Sequence, residues 1–282
     1  MTQAIAIRAL PWRCMRCLIL LLFAASAAAQ PVEYMVLKEG VLQERLRLAH
    51  PKNQERYARL RKLFDEEGCG GPTFREQTVK GSKEPNLICD VAGTGADPRT
   101  IIVGAHFDAV GGDGVIDNWS GAVLLPGLSE FLRRGSRRHT FEFVGFAGEE
   151  KGLLGSRAYL KSLSTQQRAN IAAVITMDSI GLTATKCWPN GSTPELVNTA
   201  AALAHAMKLD FGGVNVDKVG TTDSQPFKDA GIPVLSLHSV TQETWKIING
   251  PKDVWSAVSW KDYYDTQRFV SALLVYLDRT LP

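Results

Sequence analysis

After its first thirty residues the chain has no second apolar run that approaches a membrane span, no acidic tail, no basic stripe, no internal repeat and no low-complexity tract. The missing second run leaves no further candidate for a transmembrane helix. Charge is nearly balanced, with 32 Lys and Arg against 29 Asp and Glu for a net +3, and several of the basic residues sit in the first segment. A partner held by charge alone, nucleic acid above all, is therefore not indicated. Cysteine is scarce: five in all, of which Cys69, Cys89 and Cys187 lie beyond the N-terminal segment. Cys69 and Cys89 are free to pair in an oxidising compartment or to remain buried thiols, and spacing does not choose between these.

What is present begins with an export pattern. Arg8, Arg13 and Arg16 precede the short apolar core "CLILLLFAA", and "ASAAAQ" supplies the small residues of a cleavage site, best placed between Ala29 and Gln30. The expectation is a signal peptide over 1–29 and a single domain over 30–282. The mature protein is then expected to be periplasmic or secreted, free of the membrane and without a lipid anchor, because Gln30 and not a cysteine directly follows the cleavage site. About 250 residues suffice for one full core.

The periodicities predict helix over 31–68, broken at Pro51, and then strands at "TFREQTV" and "NLICDVAG". Four buried strands follow, "RTIIVGAHFD", "HTFEFVGFAGEE", "IAAVITMDSIG" and "IPVLSLHSV", with helices between them. One of these helices has Thr193 as its cap and Pro194 at its first position, and "WKDYYDTQRFVSALLVYLD" closes the chain. This alternation implies an α/β fold with a mostly parallel central sheet and helices on both faces.

Polar residues gather where these strands end. "HFD" follows the first buried strand, "GEE" the second and "MDSIG" the third, and the carboxyl ends of parallel strands border the ligand crevice. His106, Asp108, Glu149, Glu150 and Asp178 are expected to converge there, joined by Asp117 from the glycine-rich loop "GGDGVIDNWSG". Such a cluster of carboxylates without basic residues repels itself, and divalent cations are the usual solution; imidazole with carboxylates suits zinc. Of the adjacent glutamates, one can bind metal while the other takes a proton from water. Asp108 completes the catalytic set by fixing the tautomer and orientation of His106.

Taken together, "GAHFDAV", "GVIDNWSG", "FVGFAGEEKGLLGS", "MDSIG" and "TTDSQPFKDAGIPVLSL" resemble the zinc aminopeptidases known as the M28 peptidases, in the family order and over roughly residues 85–280. The resemblance implies a zinc-exopeptidase fold of the phosphorylase/hydrolase-like type, a peptide substrate and one or two zinc ions. It implies that His106, Asp117 and Asp178 hold one zinc, that Asp117 bridges to a second held by Glu150, and that Glu149 is the general base. The family's last ligand is a histidine in a His-x-x-x-Asp segment. Here that segment reads "NGPKD", so Asn249 stands at the histidine position and Asp253 keeps its own. An amide oxygen is a poorer zinc ligand than imidazole. His238, nearby in "LSLHSV", is expected to be a satisfied histidine and not a substitute ligand. Two further readings share this fold: a single-zinc glutaminyl-peptide cyclotransferase, and a secreted peptide-binding protein without turnover. Trp119 and Trp245 are the aromatic candidates for a specificity pocket, with packing as the simpler role for each.

Overall fold

The computed structural model describes residues 33–218 and 220–282; the expected signal segment, 1–29, and its cleavage site lie outside the described residues. Residues 33–38 take no regular secondary structure, although helix was expected from residue 31. The backbone there finds its partners on the closing helix Trp260–Thr280. Met35 N–H donates to Ser271 Oγ at 2.7 Å and Leu37 N–H to Gln267 Oε1 at 3.1 Å, while Gln267 Nε2 donates back to Met35 O at 3.0 Å. With those groups satisfied across the fold, a local helix gains nothing. Helices follow at Glu39–Leu46 and Asn53–Glu66, on either side of the expected break at Pro51.

Among the described residues eight strands make one sheet: β1 Phe74–Gln77, β2 Asn86–Val91, β3 Thr100–His106, β4 Thr140–Phe146, β5 Ile171–Met177, β6 Lys186–Cys187, β7 Gly212–Gly213 and β8 Val234–His238, in spatial order β1-β2-β4-β3-β5-β8-β6-β7. The four central strands β4, β3, β5 and β8 are mutually parallel, and antiparallel pairings join β2 to β4 and β6 to β8. Alternate residues of the central strands serve two cores. Ile101, Val103, Phe143 and Ile175 pack with Leu273 and Leu277 of the closing helix, whereas Ile102, Val144, Val174 and Val234 pack with Tyr159 and Phe227 on the other face. Both faces are thus covered, which is why these strands read as continuous apolar runs.

β6 and β7 were not anticipated, because two residues carry no period and β7 is a Gly-Gly pair. Thr193 also differs from expectation. It sits at the N-cap of Pro194–Ala206, but its hydroxyl accepts the β8 N–H of Val234 at 2.9 Å and makes no bond to its own helix. Cys69 and Cys89 form a disulfide that ties the loop before β1 to β2, and Cys187 is a buried free thiol. Among the described residues no helix is long and apolar enough to cross a membrane.

Candidate metal centre

The carboxyl ends of β3, β4 and β5 lie side by side, and each delivers a polar residue just past its last apolar one. His106 closes β3, and Asp178 is the first residue after β5. Glu149 opens a single tight turn, Glu149–Lys151, bounded by glycines at φ 71° and 98°. His106 Nε2 is 3.2 Å from Asp117 Oδ1, 3.4 Å from Asp178 Oδ1 and 3.8 Å from Glu149 Oε2. The other ring nitrogen, Nδ1, lies 3.1 Å from the main-chain oxygen of Asp108. A carbonyl only accepts, so Nδ1 donates its proton there, and Nε2 is the nitrogen turned to the carboxylates, whose charge favours the protonated ring until a cation takes that place.

Asp108 therefore orients His106 through its backbone. Its carboxylate is 3.7 Å from the ring and accepts the N–H groups of Glu149 at 3.1 Å and Glu150 at 3.3 Å. One residue thus aligns both the histidine and the Glu-Glu turn.

Asp117 is carried by an irregular turn, Val115–Trp119, in which Asp117 and Asn118 leave helical angles. Its neighbours explain the "DNWSG" pattern. Asn118 Nδ2 donates to Met177 O at 2.7 Å, and its Oδ1 accepts from Gly121 N at 3.1 Å and Ser179 N at 3.2 Å. Ser120 Oγ donates to Ile116 O and accepts from Ile180 N. At Gly121 a Cβ would lie 2.6 Å from Asn118 Oδ1 and 2.8 Å from Met177 O, so no side chain fits. The motif stitches the Asp117 loop to the end of β5.

The "NGPKD" segment closes over the same loop. Asp253 accepts from Ile116 N at 2.6 Å and from Asp117 N at 2.9 Å. Asn249 has φ 57°, a left-handed conformation that asparagine tolerates. Its main-chain oxygen covers Gly111, where a Cβ would approach it to 2.6 Å, and Gly111 itself has φ 78°. Asn249 also borders the cavity that contains Asp117, Glu149, Glu150 and Asp178.

His238 borders that cavity too, yet both of its nitrogens are engaged. Nδ1 accepts from Val240 N at 3.1 Å and Nε2 donates to Val214 O at 2.9 Å, so the ring is satisfied and neutral. Burial lowers its pKa. Trp119 is fully buried with its indole N–H on Arg45 O at 2.9 Å. Neither it nor Trp245 borders the cavity; the aromatic wall is Trp188, which no sequence pattern had marked. Leu153, Val216, Val240 and Ile248 complete an apolar side of a space of about 280 Å³.

Asp223 was also missed. It precedes a short helix, Gln225–Asp229, and follows no buried strand, so the strand-end logic passed over it. The polar "TTDSQPF" run before an apolar strand was the available signal. It is 2 % exposed, and neither carboxylate oxygen has a hydrogen-bond partner among the described residues.

The electrostatics fit a cation. Burial, reinforced by Asp178, Asp223 and Asp117, pushes the Glu149 carboxyl up to about 10 against the pull of His106. Burial and Asp117 push Glu150 up to about 8, and burial raises Asp223 to about 7. Desolvation also opposes charge on Asp178, but His106 holds it below the usual range. Protons are thus drawn into a cluster that divalent charge would neutralise better. The donor atoms of His106, Glu149 and Asp178 lie within 4.8 Å of one another, and Glu150 Oε1 is buried without a hydrogen-bond partner among the described residues. An imidazole nitrogen and several carboxylates, already held by bonds outside them, suit zinc.

A family model described as peptidase family M28 matches residues 86–274. Leupeptin-inactivating enzyme 1 of Streptomyces exfoliatus is 30% identical over 177 residues, 59% of this chain and 38% of that protein. The chain aligns with between 34% and 52% of the length of the first three curated relatives. Among solved structures, a zinc aminopeptidase from Bacillus subtilis superposes with TM-score 0.62 at 22% identity, over 68% of this chain and 50% of that one. A glutaminyl cyclase from an Acidobacteriales bacterium gives 0.75 at 18% identity, over 91% and 99%. At these identities the superpositions speak for the fold.

Proposed function

The chain belongs to peptidase family M28, and from that premise we propose that it is an exported zinc-dependent aminopeptidase. The observation that carries the proposal is His106 Nε2, turned toward Asp117 and Asp178 with Glu149 beside them. His106, Asp117 and Asp178 would hold one zinc, and Asp117 with Glu150 a second, for which Asn249 offers only an amide. The second ion is accordingly held weakly. Bound zinc supplies Lewis-acid polarisation of the scissile carbonyl and acidifies water. Glu149 accepts the proton of the attacking water and passes it to the departing amine nitrogen. The acidic cluster holds the substrate's free ammonium, and the wall of Leu153, Trp188, Val216, Val240 and Ile248 receives its first side chain.

Export is supported by the N-terminal charge and apolar pattern and by the Cys69–Cys89 disulfide, since such bonds persist in oxidising compartments. Cyclisation of N-terminal glutamine ranks below hydrolysis. The single cyclase zinc relies on the position held here by Asn249, whereas the set His106, Asp117 and Asp178 is intact. The deciding experiment gives the purified protein leucine p-nitroanilide and an N-terminal glutamine peptide, with elemental analysis of zinc before and after chelation. Leucine release that is lost on chelation and restored by zinc is expected. Pyroglutamyl product without leucine release would replace the reading by the cyclase. Zinc-free protein that retains peptide but never cleaves it would replace it by a binding protein.

A further inference from the structure

Arg56 is 0 % exposed and lies on the helix Asn53–Glu66, ahead of the residues that match the family model. A buried guanidinium needs partners, and these are main-chain oxygens. Nε donates to Phe107 O, Nη1 to Asp113 O at 2.7 Å and His50 O at 3.4 Å, and Nη2 to Gly114 O at 3.1 Å. Phe107 adjoins His106, and Gly114 lies three residues before Asp117, so one side chain grips both ends of the loop between two metal donors. From the same helix, Asn53 Oδ1 accepts Ala109 N–H at 3.0 Å. Cζ of Arg56 stands 5.1 Å over the Trp119 ring, which backs the turn that carries Asp117. Four acidic groups, Asp108, Asp253, Asp117 and Glu150, act on the Arg56 charge.

We propose that Arg56 is a positioning residue of the metal centre: it spans the loop from His106 to Asp117 and holds those two donors at their mutual distance of 3.2 Å. The planar fork reaches four carbonyls in different directions, which a lysine ammonium on a flexible stem cannot reproduce with the same geometry. The loop is rich in glycine, and its main chain is held by Arg56 and Asn53 on one side and by Asp253 on the other. This proposal rests on the reading of the cluster as a zinc site.

The test measures zinc affinity by competition with a chromophoric chelator for the wild-type protein, Arg56→Lys, Arg56→Met and Asn53→Ala, each normalised to folded protein by circular dichroism. Amide hydrogen exchange over residues 107–117 is followed in parallel on the metal-free protein. Arg56→Lys is expected to bind zinc about 10–100-fold more weakly, as for other residues that support a metal ligand, with faster exchange confined to 107–117. If Arg56→Met does not fold, Arg56→Lys and the milder Asn53→Ala carry the decision. Folded variants with wild-type zinc affinity and unchanged exchange would overturn the positioning role and leave Arg56 a residue of global stability. A wild-type protein without zinc affinity would overturn the metal-site reading itself, and the two failures are told apart by the wild-type measurement.

Discussion

Asp253 accepts the main-chain N–H of Asp117 at 2.9 Å across 136 residues of sequence. The segment that carries Asn249 and Asp253 therefore shapes the candidate centre. Asp253 also takes Ile116 N–H, so its carboxylate fixes the turn that aims Asp117 at His106. Replacing it by Ala frees two buried donors and lets that turn relax. Zinc affinity is expected to fall about 10–100-fold, and the melting temperature to drop as well. Competition with a chelator and a thermal melt check this; unchanged affinity in folded protein would exclude the role.

On the proposed two-ion reading, Asn249→His is expected to strengthen binding of the second zinc. The left-handed backbone there is one that histidine also adopts more readily than most residues, so the fold should accept it. The measurement is zinc retained per chain after dialysis, wild type beside variant. Equal stoichiometry with full wild-type turnover would show that Asn249 marks no deficit.

Glu149→Gln keeps the shape of the turn and the main-chain bond to Asp108 while removing the proton acceptor. Turnover is expected to fall by about 10²–10⁴-fold, the usual worth of a general base, with zinc content largely preserved. Preserved activity would remove Glu149 as the base.

Trp188 walls the cavity beside Val216 and Val240, and Gly191 leaves the indole little room to withdraw: a Cβ there would lie 3.0 Å from its Cγ. Trp188→Ala should deepen the space and shift preference from leucyl toward phenylalanyl or tryptophanyl anilides by roughly tenfold or more. The ratio of kcat/KM values reports it, and an unaltered ratio would place the side-chain pocket elsewhere.

The Cys69–Cys89 disulfide closes a loop with a sequence separation of 20. Its replacement by two alanines should cost about 2–4 kcal/mol of stability, read from denaturant unfolding. Zinc stoichiometry should not change, because neither cysteine touches the centre. A metal loss in folded protein would tie this edge of the sheet to the site.

Much of this architecture was legible without coordinates. The central strands are buried on both faces, so their apolar runs are long and their ends sharp, and the polar residue after each end lands at one edge of a parallel sheet. That is why His106, Glu149, Glu150 and Asp178 could be named together. Asp117 followed from its glycine-rich loop, and Asn249 from the spacing to Asp253 in a resembling family. The α/β class followed from alternation alone.

Tertiary structure decided what depends on contacts between distant segments. The irregular stretch at residues 33–38, where helix was expected, follows from hydrogen bonds to Ser271 and Gln267. The satisfied state of His238 follows from Val214 and Val240. The pocket tryptophan is Trp188 because a two-residue strand, with no periodicity to read, brings it beside β8. Asp223 and Arg56 belong to the same class: one precedes a short helix, the other lies on an ordinary amphipathic one. Periodicity reports which face of an element is buried. It does not report which buried polar group meets which, and that pairing is set only when the sheet and its loops have closed around one another.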